Sequence, residues 1–539
     1  YTLWHTLSLH DALPISRADA VEVEVLRADA DRITVEVRVD EFFLEPADVP
    51  GYEMSRVVAG DEAPIKLRGA PELPSVTRAV ALPGDAKMVP VVVFAEHEDI
   101  ADVHIAPSKG ILYRDTSPAD VPYELGPVYG SAGLWPESLA VLGEPFIQRD
   151  VRGAVLNVHP FRYDSASGTL RVTRRVVVDL VPAGPAEINP LPDGPRHPSA
   201  TFDRLIARRF LNPPAPALPP PIEEEGEMLV ICHDNWVSNM EPFAAHKNSI
   251  GIPTTILPVS EVGNSATAIR AALQSAYDGG NLAFVLLVGD AAQVATPDSS
   301  GGSADPDYAK LAGSDDYPDV LLGRFSAESA ADVDTQVQRV IEYETLPATL
   351  QPWFKKGVGI ASAEGPGDDG ELDYEHVENI RADLLAHGYS EVDQIYDPGA
   401  GAAAVSAALN AGRGVVNYTG HGWDQGWATS GFSVSQVNAL TNAGMLPFVF
   451  SVACLNGNFA YGTCFGESWL RATSGGQPSG AIGVYASSIS QSWDPPMAAQ
   501  DEMNDLLVAE AHFSLGALCF GGSSLMIDEY GGAGVEMYD

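Results

Sequence analysis

A histidine and a cysteine, each at the end of an apolar run, are the residues of this chain best suited to chemistry. Gly414-Val415-Val416-Asn417-Tyr418 leads into Thr419-Gly420-His421-Gly422, and Pro447-Phe448-Val449-Phe450-Ser451-Val452-Ala453 leads into Cys454-Leu455-Asn456-Gly457. Neither run alternates apolar with polar residues, so each reads as a strand buried on both faces in a parallel sheet. Both side chains then lie just past the carboxyl ends of their strands, the edge of an open α/β sheet where ligands bind. A thiol attacks as its thiolate and needs a neighbour to take its proton, which an imidazole does. The pair therefore predicts a cysteine hydrolase. Glycines on both sides of His421 let backbone approach a substrate, and the amides of Gly422 and Cys454 are candidates for stabilising an oxyanion.

The elements that must position this pair are legible in the pattern upstream. Met228 to Cys232 and Leu282 to Gly289 read as buried strands, with helices over Thr267 to Tyr277 and Ala331 to Tyr343. A second set starts at Val358 to Ala361 and runs through helix, strand and helix to the histidine and cysteine strands. These last two are expected to be joined by a crossover helix near Ser433 to Ala443. Such alternation builds parallel sheets through right-handed crossovers, giving α/β subdomains at 222–350 and 351–539.

Residues 20–182 have a different rhythm. Val21-Glu22-Val23-Glu24-Val25 and Ile33 to Val39 alternate with period two, and Phe161 to Val172 places turn residues between two strands. That region reads as an all-β domain without a catalytic cluster. Residues 183–221 form a connector whose prolines, Pro213 to Pro221, favour extended and exposed backbone. The dibasic pair Arg208-Arg209 in the connector is a candidate processing site. Residues 1–19 lack the pattern of a signal peptide, and Ser8 to Ser16 resembles translated sequencing adapter, so they are left out of the fold.

Composition narrows the function. The chain has 539 residues, with 73 Asp and Glu against 31 Lys and Arg, a formal charge of −42 that repels nucleic acid. The sequence holds no apolar run of membrane-spanning length, about 18 residues. The four cysteines have no zinc-like spacing and set up no disulfide framework.

Asn417-Tyr418-Thr419-Gly420-His421-Gly422, Ala453-Cys454-Leu455-Asn456-Gly457, Cys464-Phe465-Gly466-Glu467 and Ser490-Gln491-Ser492-Trp493 together resemble the gingipain family of cysteine endopeptidases. The resemblance extends upstream through Ala361 to Gly370 and Leu322 to Ser326, and residues 20–182 look like the family's propeptide. It implies a caspase-like parallel sheet with flanking helices in two subdomains, preceded by an all-β propeptide-like domain. It also implies His421 and Cys454 as catalytic residues, cleavage of protein substrates after Arg or Lys, a secreted or cell-surface location, and structural calcium without a catalytic cofactor. Trp493 matches the family's pocket-wall tryptophan, and Asp373 and Asp494 are alternative carboxylates for the pocket floor. Glu364, just past the Val358 to Ala361 strand, is the favoured partner for the second nitrogen of His421. Asp368 or Asp369 could serve instead, or could bind calcium with Glu371. Cys464 is expected to be structural. The chain stops short of the family's length, which suggests a fragment. A non-catalytic surface or adhesive protein that keeps the scaffold is the alternative.

Overall fold

The computed structural model describes residues 20–191, 197–214, 224–347, 351–460, 462–511 and 514–539. The segment 1–19 and most of the proline run therefore lie outside the described residues. The amino-terminal region is built of β-strands. Val21–Asp29 pairs antiparallel with Arg32–Val39, which pairs with the long strand Thr169–Pro185. Thr169–Pro185 also takes Phe161–Asp164 and Ala86–Ile100. A second antiparallel sheet centres on Val151–Val158. The alternating valines seen in the sequence put Val35, Val37, Val176 and Val178 on one face, where they meet Val80, Ala154 and Leu156 of the second sheet.

The remainder forms two parallel sheets. The first runs in the order Thr254–Pro258, Glu227–Cys232, Leu282–Val288, Leu321–Phe325; the second in the order Glu391–Tyr396, Lys356–Ala361, Val415–Thr419, Phe448–Val452, Gly483–Ala486. Helices cover the sheets because both strand faces are apolar. In the second sheet, Val358, Ile360, Val416 and Val449 pack on one side, and Val415 and Phe450 on the other. The predicted helices appear as Ala266–Gly279 and Ala330–Thr345, each started by a serine whose side chain accepts a backbone N–H.

Two expectations need correction. The connection between the histidine and cysteine strands is helical only at Val434–Val437. Asn438, Asn442, Gly444 and Pro447 are poor helix formers, and most of the connection is loop. The connector is also less exposed than its prolines suggest. Residues Ala200–Arg209 form a helix that buries Phe202 and Leu205 against Ala517 and Phe520. Arg209 of the dibasic pair is held by Asp528 at 2.8 Å and lies over the Tyr317 ring, so only Arg208 is open to solvent.

Candidate active site

The histidine and cysteine strands are adjacent and parallel, with Thr419 level with Val452. His421 and Cys454 thus leave the sheet side by side, two residues beyond that pair. The neighbouring strand puts Ala361 level with Thr419, so Glu364 emerges at the same edge. Its Oε2 lies 2.7 Å from His421 Nε2. That contact occupies one of the two ring nitrogens. Cys454 is buried, with 9 % of its surface exposed, and its sulfur accepts the Gln491 N–H at 3.3 Å.

Close packing of the two loops explains their glycines. A Cβ on Gly422 would lie 2.8 Å from both the Cys454 carbonyl oxygen and the Ala453 Cβ. No larger residue lets the histidine loop lie against the cysteine. Just after the nucleophile candidate, Leu455 has φ 60°, a costly conformation for a branched residue that turns the chain sharply. Asn456 is fully buried and ties the loops together. Its Nδ2 donates to the Trp423 and Gly426 carbonyls at 2.8 and 3.0 Å, and its Oδ1 accepts from Ser451 Oγ at 2.8 Å. Trp427 Nε1 completes the network by donating to Ser451 Oγ.

Beside this pair lies a pocket that is already filled. Arg114, from the amino-terminal β region, sends its guanidinium to Asp373, with Nη1 3.1 Å from each carboxylate oxygen and both side chains fully buried. The guanidinium carbon lies 4.4 Å from the Trp493 ring centroid. Ser362 Oγ donates to Asp373 at 2.6 Å and fixes the carboxylate. The Asp373 amide donates to the Glu364 carbonyl at 2.9 Å, linking the pocket floor to the residue that holds His421. Trp493 also meets His421 edge to face, ring centroids 6.0 Å apart at 80°. The backbone leading into Arg114 pairs with the cysteine side of the site before turning away: the Arg114 N–H donates to the Gln491 carbonyl, the Trp493 N–H donates to the Leu112 carbonyl, Tyr113 bridges antiparallel to Ser492, and the Thr116 N–H closes a turn on the Tyr113 carbonyl. A peptide strand thus lies across the site with an arginine side chain in the pocket.

Other sequence candidates fall elsewhere. Asp494 does not reach Arg114; its Oδ1 takes Lys66 Nζ at 2.6 Å. The two carboxylates begin different helices, Asp373–His387 and Asp494–Val508, and hold different cations. Asp368 is buried and accepts from Tyr530 at 2.6 Å, and Glu371 accepts from Asn379 at 2.7 Å. Asp369 sits at φ 52° in the turn between them. Among the described residues no three His, Cys, Asp or Glu side chains gather to hold a metal ion. Cys464 caps the Phe465–Arg471 helix and is buried, and burial raises its thiol pKa further. Sequence reasoning missed Arg114, Ser362 and Asn456. Arg114 stands alone in a loop of ordinary composition and gives no signal until the pocket is seen.

A parallel α/β sheet bearing these residues at its carboxyl edge defines a cysteine endopeptidase preceded by its propeptide. The chain belongs to peptidase family C25: that family's profile matches residues 222–527, and the C25 propeptide profile matches residues 16–192. Among curated proteins, Gingipain R2 of Porphyromonas gingivalis strain W83 is 35% identical over 547 residues, covering 98% of this chain and 73% of the relative. The crystal structure of the Arg-specific cysteine proteinase gingipain R superposes with a TM-score of 0.58 at 36% identity, covering 60% of this chain and 77% of that one. The complex of Porphyromonas gingivalis RgpB pro- and mature domains gives a TM-score of 0.56 at 36% identity, covering 58% and 77%. No helix among the described residues is long and apolar enough to cross a membrane.

Proposed function

We propose that this chain is the latent precursor of an exported endopeptidase that cuts after arginine, with Cys454 as nucleophile, His421 as acid and base, and Glu364 as the group that orients His421. The observation that carries the reading is Arg114, seated against Asp373 and Trp493 with its backbone paired to Gln491 and Trp493. The planar guanidinium fits a buried carboxylate beneath an indole face, and a pocket so arranged selects an arginine in substrates.

In the reaction, His421 Nδ1 takes the Cys454 proton and Glu364 stabilises the imidazolium through Nε2. The thiolate forms a C–S bond to the carbonyl carbon after the arginine, and the oxyanion faces the amides of Gly422 and Cys454. His421 then protonates the amine as the C–N bond breaks. Water, giving its proton to His421, hydrolyses the thioester and restores the thiol. Arg114 holds the substrate's place until the propeptide moves. Export suits a peptidase that is made inhibited, because latency spares the cell that produces it.

A peptide-library cleavage profile of the wild-type chain beside Cys454→Ala tests this. Cleavage after arginine that vanishes with the thiol is expected. Hydrolysis retained without the thiol, or cleavage indifferent to arginine, would overturn it.

A further inference from the structure

A second cation of the propeptide, partly buried, pairs with a carboxylate beside the first. Lys66 Nζ lies 2.6 Å from Asp494 Oδ1 and 3.1 Å from Glu72 Oε1, and 4 % of Asp494 is exposed. Asp494 directly follows Trp493, whose ring lies under the Arg114 guanidinium, and Asp373 and Asp494 each hold a basic side chain from the propeptide. Glu72 belongs to the propeptide and leaves with Lys66. Asp494 stays behind with Asp368, which is buried and lies close enough to feel its charge.

The segment paired across the site at Tyr113 relates this socket to substrate. Along a strand, alternate side chains share a face. Arg114 and Leu112 therefore point the same way, and Leu112 lines a small cleft with Lys66, Trp493 and Asp494. A substrate strand placed like residues 112–114 would bring the side chain two residues before its scissile arginine to that cleft. In the latent chain this position is Leu112, and the cation comes from Lys66 instead.

We infer that Asp494 is the floor of a second cation subsite, which takes a lysine or arginine two residues upstream of the cleaved arginine and is closed by Lys66 in the latent chain. The inference rests on the peptidase reading above. Lys66 shows that the socket accepts an alkyl-ammonium side chain, and the departure of the propeptide leaves Asp494 without its cation.

The test compares peptides Lys-X-Arg and Leu-X-Arg on the full chain carrying Arg114→Ala, alone and with Lys66→Met, and uses Lys66→Ala if Lys66→Met does not fold. With Lys66 in place the two peptides should be cut at similar rates. With Lys66 replaced, kcat/KM should favour Lys-X-Arg by about tenfold, as one partly screened charge pair allows. Adding Asp494→Asn should return the ratio to near one, and Asp494→Glu should restore it. A ratio near one with Lys66 replaced, or a preference that survives Asp494→Asn, overturns the subsite. If neither peptide is cut by any of these chains, the peptidase reading itself has failed.

Discussion

Two propeptide arginines are buried in the catalytic half, and their surroundings differ in kind. Arg149 meets fixed main-chain and amide acceptors: its Nε donates to the His197 carbonyl, Nη1 to the Leu282 and Asp319 carbonyls, and Nη2 to Asn281 Oδ1, with the Phe202 ring 4.5 Å away. Arg114 meets one carboxylate and one indole, and among the described residues its Nε and Nη2 have no hydrogen-bond partner. Arg149 has a socket shaped around its own backbone position, and even its amide is held, by Asp319 at 2.6 Å. Arg114 has a socket that recognises a guanidinium and little else. The first is an anchor that only this propeptide fits; the second is a place that an incoming arginine can take over.

The largest effect that probes this contrast is loss of the Cys454 thiol. Cys454→Ala should abolish turnover of arginyl peptides, by about 10³-fold or more, together with labelling by thiol reagents. Activity gained by any propeptide variant must disappear when Cys454→Ala is added. Next, Arg114→Ala should raise the turnover of the unprocessed chain by about 100-fold, since removing a buried charge pair frees a few kcal/mol of pocket occupancy. Arg149→Met should weaken propeptide docking by about 3 kcal/mol, read by denaturant unfolding of the Cys454→Ala chain, through its lost charged hydrogen bonds. If Arg149→Met activates as strongly as Arg114→Ala, the distinction between anchor and plug is wrong. Third, Asp373→Asn in the Arg114→Ala chain should lower kcat/KM for arginyl peptides by about 30-fold, chiefly through KM, because a buried guanidinium loses its countercharge. Equal loss on substrates with uncharged side chains would show that Asp373 supports the fold rather than the pocket.

The sequence showed the chemistry better than its control. Apolar runs ending in His421 and Cys454 were enough to place both at one sheet edge, since adjacent parallel strands in register deliver their next residues to the same side. Period two in the valines gave the β region. The choice between Asp373 and Asp494 was not legible, because each is an aspartate at the start of a helix and only the path of the chain around Trp493 separates them. Arg114 and Lys66 were invisible for a related reason: each is a single basic residue in a loop, and its meaning lies in a partner more than 250 positions away. The helix over 200–209 was hidden by the prolines after it, although its amphipathic phenylalanine and leucine were there to be read.

The smallest expected effect separates the two ends of the propeptide by pH. Burial, and then the negative charge of Asp494, pushes the Asp368 carboxyl up to about 7 near the plug, while burial pushes Asp319 up to about 8 near the anchor. Both start from 3.8, and a raised carboxyl pKa means that the folded chain holds a proton that the unfolded chain has released. Stability from each group is therefore complete below 3.8 and is lost as pH rises, up to about 7 for Asp368 and about 8 for Asp319. The melting temperature of the Cys454→Ala chain should fall by several degrees between pH 5 and 8. Asp368→Asn should flatten the part of that fall below about pH 7 and leave the rest, whereas Asp319→Asn should flatten it up to about pH 8. With both variants flattening the fall up to the same pH, the two ends would share one titration. The two intervals overlap from pH 3.8 to about 7, so rising pH weakens the surroundings of Arg114 and Arg149 together over that range, and above about 7 only those of Arg149 go on weakening.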